Sequence, residues 1–184
     1  KRLSHLSDKS GNDALCHNTP TWEEAIKFIQ EFPADQYKTC VIDTADELES
    51  HCHKHLCKVH AVPTIEEVLG GYGKGFTRTV ELFRSLLVEA DKLRAKGVEI
   101  ILVAHCQVKM FSNPAGPDYS RFIPRMNEKL AAMICGWADN VFFACHKDEF
   151  LVGKGEKAGI MAKGKAKGND DSRVLKCQRT PAWE

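Results

Sequence analysis

The sequence predicts an α/β fold with a mostly parallel sheet flanked by helices. Residues 37–44, 98–105 and 140–145 each hold a continuous apolar run, at 40–42, 100–104 and 141–145, the pattern of strands buried on both faces. Between them lie stretches with apolar residues at helical spacing, long enough to cross over to the next parallel strand. At 184 residues and 43% hydrophobic residues, the chain has material for one well-packed domain.

Each element has its own local cause. Residues 1–18 read as a polar, irregular lead-in, residues 19–149 as the α/β core, and residues 150–184 as a C-terminal β hairpin. Thr19-Pro20-Thr21-Trp22-Glu23-Glu24 reads as a helix start, with acids in the first turn where the helix dipole favours them. Ala25, Ile26, Phe28, Ile29 and Phe32 supply its apolar face up to Pro33. Residues 37–44 form a buried strand ending in an acid. Residues 46–60 form a helix with Leu48, Cys52, Leu56 and Val59 as its apolar stripe.

Residues 63–76 read as a loop with glycines at 70, 71, 73 and 75. Residues 78–96 make the clearest helix, with Leu82, Phe83, Leu86, Leu87, Ala90 and Leu93 on the 3.6-residue period and Gly97 just past its end. Residues 98–105 form a second buried strand, and residues 106–124 a long connection rich in Pro, Gly, Asn and Ser. A short helix over 125–135 and a third strand over 140–145 follow. Strands at 150–152 and 173–177 flank a Gly/Lys-rich segment at 153–168. The lysines there (154, 157, 163, 165 and 167) read as a solvated hairpin or as a non-specific DNA contact.

Composition removes several classes. With 26 Lys+Arg against 25 Asp+Glu the net charge is +1, so nucleic-acid contact must come from a local patch. No 18-residue apolar run and no signal-peptide pattern appears. The chain opens on Lys1-Arg2 and stops in mid-pattern, which reads as an internal fragment of a longer protein. The eight cysteines include no CxxC pair, and Cys40, Cys106 and Cys145 sit in or beside apolar runs as small hydrophobes. A reduced, cytosolic chain is the reading that follows. Residues 51–60 hold the densest His/Cys cluster. His51 and His55 share a helical face, which suits two zinc ligands; the competing reading makes Cys52 a packing residue and the histidines a solvated face.

Ligands bind at the carboxyl ends of strands in open parallel sheets. Asp43 and His105 stand there. An apolar strand ending in Asp is the Walker B pattern, whose carboxylate holds Mg²⁺ beside nucleotide phosphates, and Thr44 adds a hydroxyl. An Asp at a βα turn is equally the pattern of a helix cap, and His105 equally that of a locally bonded strand-end histidine. The phosphate-cradling pattern GxxxxGK[ST] is absent: Gly73-Lys74, Gly153-Lys154 and Gly164-Lys165 each lack the following Ser or Thr.

The order of several segments resembles a known family from about residue 19 to 184. They are Tyr37-x-Thr39-Cys40-Val41-Ile42-Asp43-Thr44, Gly71-Tyr72-Gly73-Lys74-Gly75, Ile101-Leu102-Val103-Ala104-His105, and Pro114-x-Gly116-x-Asp118-Tyr119-x-Arg121. Further on come Trp137 to Ala144 and Arg173-Val174-Leu175 to Thr180-Pro181-Ala182-Trp183-Glu184. This resembles phage-encoded nucleotide-binding proteins with a RecA-like P-loop ATPase core, of the single-strand annealing and recombination type.

The resemblance implies ATP and Mg²⁺ as cofactors, Asp43 as the Walker B acid and Mg²⁺ ligand through water, and His105 as a sensor of the γ-phosphate. It implies two loops on single-stranded DNA, one with Tyr72, Lys74 and Arg78, the other with Lys109, Arg121 and Arg125. Arg121 and Arg125 are also placed as arginine fingers towards a neighbouring subunit. As partners it implies single-stranded DNA, further copies in a ring or filament, and a single-strand-binding protein, in the cytoplasm of a bacterial host. It also places the phosphate loop, its helix and the next strand before residue 1, so that the chain is a partial domain, with ATPase activity belonging to the intact protein. Two alternatives stand beside it: a non-catalytic nucleic-acid-binding module and a zinc-binding structural protein.

Overall fold

The computed structural model describes residues 3–7, 13–146, 150–151, 165–166 and 172–177. The chain forms two compact units, one of Lys1–Gln107 with Pro124–Ile134 and one of Val108–Ile123 with Cys135–Glu184.

In the first unit, β1 (Leu3–Ser7) and β2 (Asp13–His17) pair as an antiparallel hairpin, where an irregular lead-in was expected. Helix α1 (Trp22–Gln30) starts where Thr21 accepts the Glu24 N–H at 3.2 Å, a side-chain cap on an otherwise unpaired donor. Strand β3 (Thr39–Asp43) leads through Thr44 into α2 (Ala45–His60). A 3-10 turn (Ile65–Gly70) precedes α3 (Lys74–Ala95), which ends at Gly97 with φ of 79° as expected. Strand β4 (Glu99–Val103) then lies parallel to β3, Asp43 opposite Val103.

The three helices α1 to α3 pack on one another. Their core holds Trp22, Ile29, Leu48, Cys52, Leu56, Phe83, Leu86, Leu87 and Ala90, all buried. The Trp22 and Phe83 rings meet at 5.0 Å. Val59, expected on the α2 stripe, is 61% exposed: it lies near the end of α2, three residues past the last buried position, Leu56.

Helix α3 begins four residues earlier than expected. Leu69, Gly70, Gly71, Tyr72 and Gly73 all have positive φ, and this left-handed run, mostly glycine, turns the chain straight into the helix. Gly75, buried in the first turn, is the reason the helix can start so close to the 3-10 turn. A Cβ at residue 75 would overlap the Ile65 carbonyl oxygen and come 3.1 Å from Val68 Cβ. Gly75→Ala is therefore expected to destabilise the protein by about 2 kcal/mol, read as a lower midpoint in a urea melt. A wild-type midpoint would contradict this packing.

The expected mostly parallel sheet is corrected: among the described residues β3 and β4 are the one parallel pair. The third run supplies β7 (Phe143–His146), which pairs antiparallel with β10 (Arg173–Lys176). Its burial alternates, Phe143 and Cys145 being half-buried and Ala144 and His146 exposed, as in an antiparallel strand with one wet face. β10 thus pairs with β7 and not with 150–152, the other arm of the expected C-terminal hairpin. Instead β8 (Phe150–Leu151) pairs with β9 (Lys165–Ala166). The lysines at 154, 157, 163 and 167 and the terminal Thr180–Glu184 motif lie outside the described residues.

The long connection over 106–124 is also corrected, to a hairpin of β5 (Cys106–Phe111) and β6 (Tyr119–Pro124). Its Pro, Gly and Asn residues make the turn. Asn113 Oδ1 accepts the Ala115 N–H at 3.1 Å, and the Asn113 N–H donates to Asp118 at 2.9 Å. Helix α4 (Glu128–Trp137) follows, with Leu130, Ala131 and Ile134 buried.

Candidate functional site at the carboxyl ends of the parallel strands

Asp43 ends β3, and His105 stands two residues past Val103, its opposite number on β4. The two sequence-predicted residues therefore close adjacent parallel strands. The Asp43–Thr44 peptide bond is cis. The cap of α2 is Thr44, whose hydroxyl accepts the Glu47 N–H at 3.4 Å. Asp43 is thus not the helix cap, and its exposed carboxylate is left at the strand end. Asp43, Thr44, Glu47 and His51 line an open cleft of about 1020 Å³, together with Phe28 and Tyr37.

The residue that organises this end of the fold was missed in the sequence. Asp46, in the first turn of α2, has its side chain 6% exposed. Its Oδ1 accepts the His105 backbone N–H at 3.1 Å, and its Oδ2 accepts His105 Nδ1 at 3.0 Å and Arg125 Nη2 at 2.9 Å. Burial alone would raise the Asp46 pKa. The His105 N–H, Arg125, the Thr44 hydroxyl and the His105 ring outweigh it and hold the carboxyl well below the usual range. Arg125, which the resemblance places on DNA or as an arginine finger, meets a carboxylate of its own chain with its side chain still 58% exposed.

One turn on, Glu49 accepts the Asn127 N–H with both oxygens at 3.2 Å, at the entrance to α4. Burial, with the Asp46 charge adding, raises its pKa against the pull of that N–H. His53 Nε2 is buried without a hydrogen-bond partner, 3.7 Å from Glu49, and burial lowers the His53 pKa. Asp46, Glu49 and His53 follow one another at three and four residues, the spacing of one helix face. Charged residues in a helix otherwise buried at Leu48, Cys52 and Leu56 were the sequence signal for this cluster.

The pH dependence follows in sign. The Asp46 pKa is depressed by folding, so its contribution is present above the unfolded value, about 3.9, and is lost as pH falls below it. Thermal melts are expected to show the midpoint falling between about pH 4 and pH 2. Asp46→Asn flattens that slope; a variant with the wild-type slope would contradict the assignment.

The other predicted residues divide clearly. Tyr72 is 99% exposed. Lys74 folds back onto the Leu69 carbonyl at 3.4 Å, and Arg78 pairs with Glu81 at 2.7 Å, so these two cations are engaged on their own segment. On the hairpin, the Arg121 guanidinium lies over the Phe111 ring at 4.3 Å, and Phe111 meets Tyr119 at 5.2 Å. Strand alternation puts Lys109 on the same face as Phe111. In the 51–60 cluster His51 faces Glu47 at 3.5 Å and His55 meets Glu23 at 2.7 Å. No group of three or more metal-ligating side chains converges among the described residues.

All eight cysteines are free. Cys52 is fully buried and Cys40 is 2% exposed, and burial pushes their thiols up to about 12 and about 11, so neither is a nucleophile at neutral pH. Cys106, expected to pack as a hydrophobe, is exposed on a strand of the hairpin. Among the described residues no helix is long and apolar enough to cross a membrane.

A family model for the AAA domain matches residues 2–184. The chain belongs to the AAA domain family. No curated protein and no solved structure matches it. An AAA domain is a nucleotide-binding domain of the P-loop ATPase type, and the family uses ATP with Mg²⁺. The residues of this AAA domain fit the cation: the free carboxylate of Asp43 and the Thr44 hydroxyl are hard oxygen donors suited to hydrated Mg²⁺. The glycine-rich pattern that cradles phosphates is not among these 184 residues.

Proposed function

We propose that this AAA domain belongs to an ATP-hydrolysing protein that acts on single-stranded DNA in phage recombination, annealing or replication. One observation carries the reading: Asp43 and His105 close adjacent parallel strands, and a basic, aromatic hairpin leaves directly from His105. Bound Mg²⁺ would be held by Asp43 through water, beside Thr44, and would offset the charge of the nucleotide phosphates. His105 offers a polar ring at the same end of the sheet, 60% exposed, suited to sense the γ-phosphate.

Lys109 and Arg121 supply charge for DNA phosphates, and Phe111 and Tyr119 supply rings for stacking on bases. Tyr72 adds a third ring, fully exposed. The same reading expects further copies in a ring or filament, a single-strand-binding protein as partner, and the cytoplasm of a bacterial host. It is tested by ATP hydrolysis in the protein made from the complete reading frame, with and without single-stranded DNA. DNA-stimulated turnover supports it. DNA binding that is indifferent to ATP would favour a non-catalytic binding module instead.

A further inference from the structure

We propose that Asp46 is a positioning residue that ties the nucleotide end of the sheet to the base of the hairpin; this rests on the function proposed above. Its partners are the two residues that bracket the hairpin. His105 immediately precedes β5 and Arg125 immediately follows β6. The Arg125 N–H donates to the His105 carbonyl at 2.8 Å, which closes the base through the backbone. One carboxylate then holds both ends: Oδ1 takes the His105 N–H, and Oδ2 takes the His105 ring and the Arg125 guanidinium. Its fourth neighbour is the Thr44 hydroxyl, next to Asp43. Any shift of the Asp43–Thr44 turn is therefore transmitted through one side chain to both roots of the hairpin.

The same contact fixes the His105 ring. An ionised carboxylate only accepts hydrogen bonds, so Nδ1 carries a proton in this contact, and Nε2 is the ring nitrogen that Asp46 does not engage. Asp46 thus sets which face of His105 chemistry is offered at the strand end, without itself being placed to touch substrate.

Two readouts separate this from the functional reading. Imidazole ¹⁵N NMR of the 184-residue chain is expected to show His105 as the Nδ1–H tautomer, and Asp46→Asn to shift it towards Nε2–H. In the protein from the complete reading frame, Asp46→Asn is expected to lower stimulation of ATP hydrolysis by single-stranded DNA about tenfold. The KM for ATP should move by less than about threefold. Arg125→Gln, at a side chain 58% exposed and so tolerant of replacement, is expected to lower stimulation in the same direction.

An unchanged His105 tautomer in Asp46→Asn overturns the positioning role whatever the enzyme does. Full DNA stimulation in both variants, with Asp43→Ala inactive, overturns the coupling and leaves the functional reading standing. A wild-type protein without ATP turnover overturns both the reading and the coupling.

Discussion

Asp43→Ala is expected to reduce ATP hydrolysis by a factor on the order of a hundred or more. The residue supplies the free carboxylate at the end of β3, in line with the Walker B pattern of its strand. The same substitution should leave the fold intact. Asp43 is exposed, and the helix that follows is capped by Thr44. Removing a surface carboxylate with no structural partner shifts stability by no more than about 0.5 kcal/mol. The pairing of lost turnover with an unchanged melting curve is the signature to seek. Turnover retained in the variant would return Asp43 to an ordinary surface residue.

Phe83→Ala is expected to have the largest effect on stability, about 3–5 kcal/mol. Phe83 is 1% exposed and its ring meets Trp22 at 5.0 Å, joining α3 to α1. Alanine loses the transfer energy of the ring and leaves a cavity in a core of packed helices. In a domain of this size the midpoint should fall by roughly 10 °C. A drop of only one or two degrees would mean that the three-helix core collapses readily around the gap, against the packing described above.

How much of this was legible in the sequence depends on how local the cause was. The helices were readable because their signals are short-range: Thr21 as a cap, the period through Leu82 to Leu93, and Gly97 at the end of α3. Strands β3 and β4 were readable as apolar runs. The partner of β7 was not, because pairing Phe143–His146 with Arg173–Lys176 rather than with a parallel neighbour is decided by residues far apart in the chain. The hairpin of β5 and β6 was hidden because Pro, Gly and Asn residues mark turns and long loops alike. The start of α3 turned on Gly75, whose lack of a side chain matters only once the Ile65 backbone lies against it.

The candidate site divides the same way. Asp43 and His105 were found because strand ends are visible in sequence. Asp46 was not, since its partners His105 and Arg125 lie 59 and 79 residues away. An acid in the first turn of a helix also has a sufficient local explanation in the helix dipole. The resemblance places Arg125 on DNA or as an arginine finger, and its pairing with Asp46 is a contact that only the fold reveals.

The most direct test of the central claim is the rate of ATP hydrolysis by the protein from the complete reading frame, measured with and without single-stranded DNA in the presence of Mg²⁺. The account predicts turnover that rises with DNA and disappears in Asp43→Ala. DNA binding without any ATP turnover would contradict it.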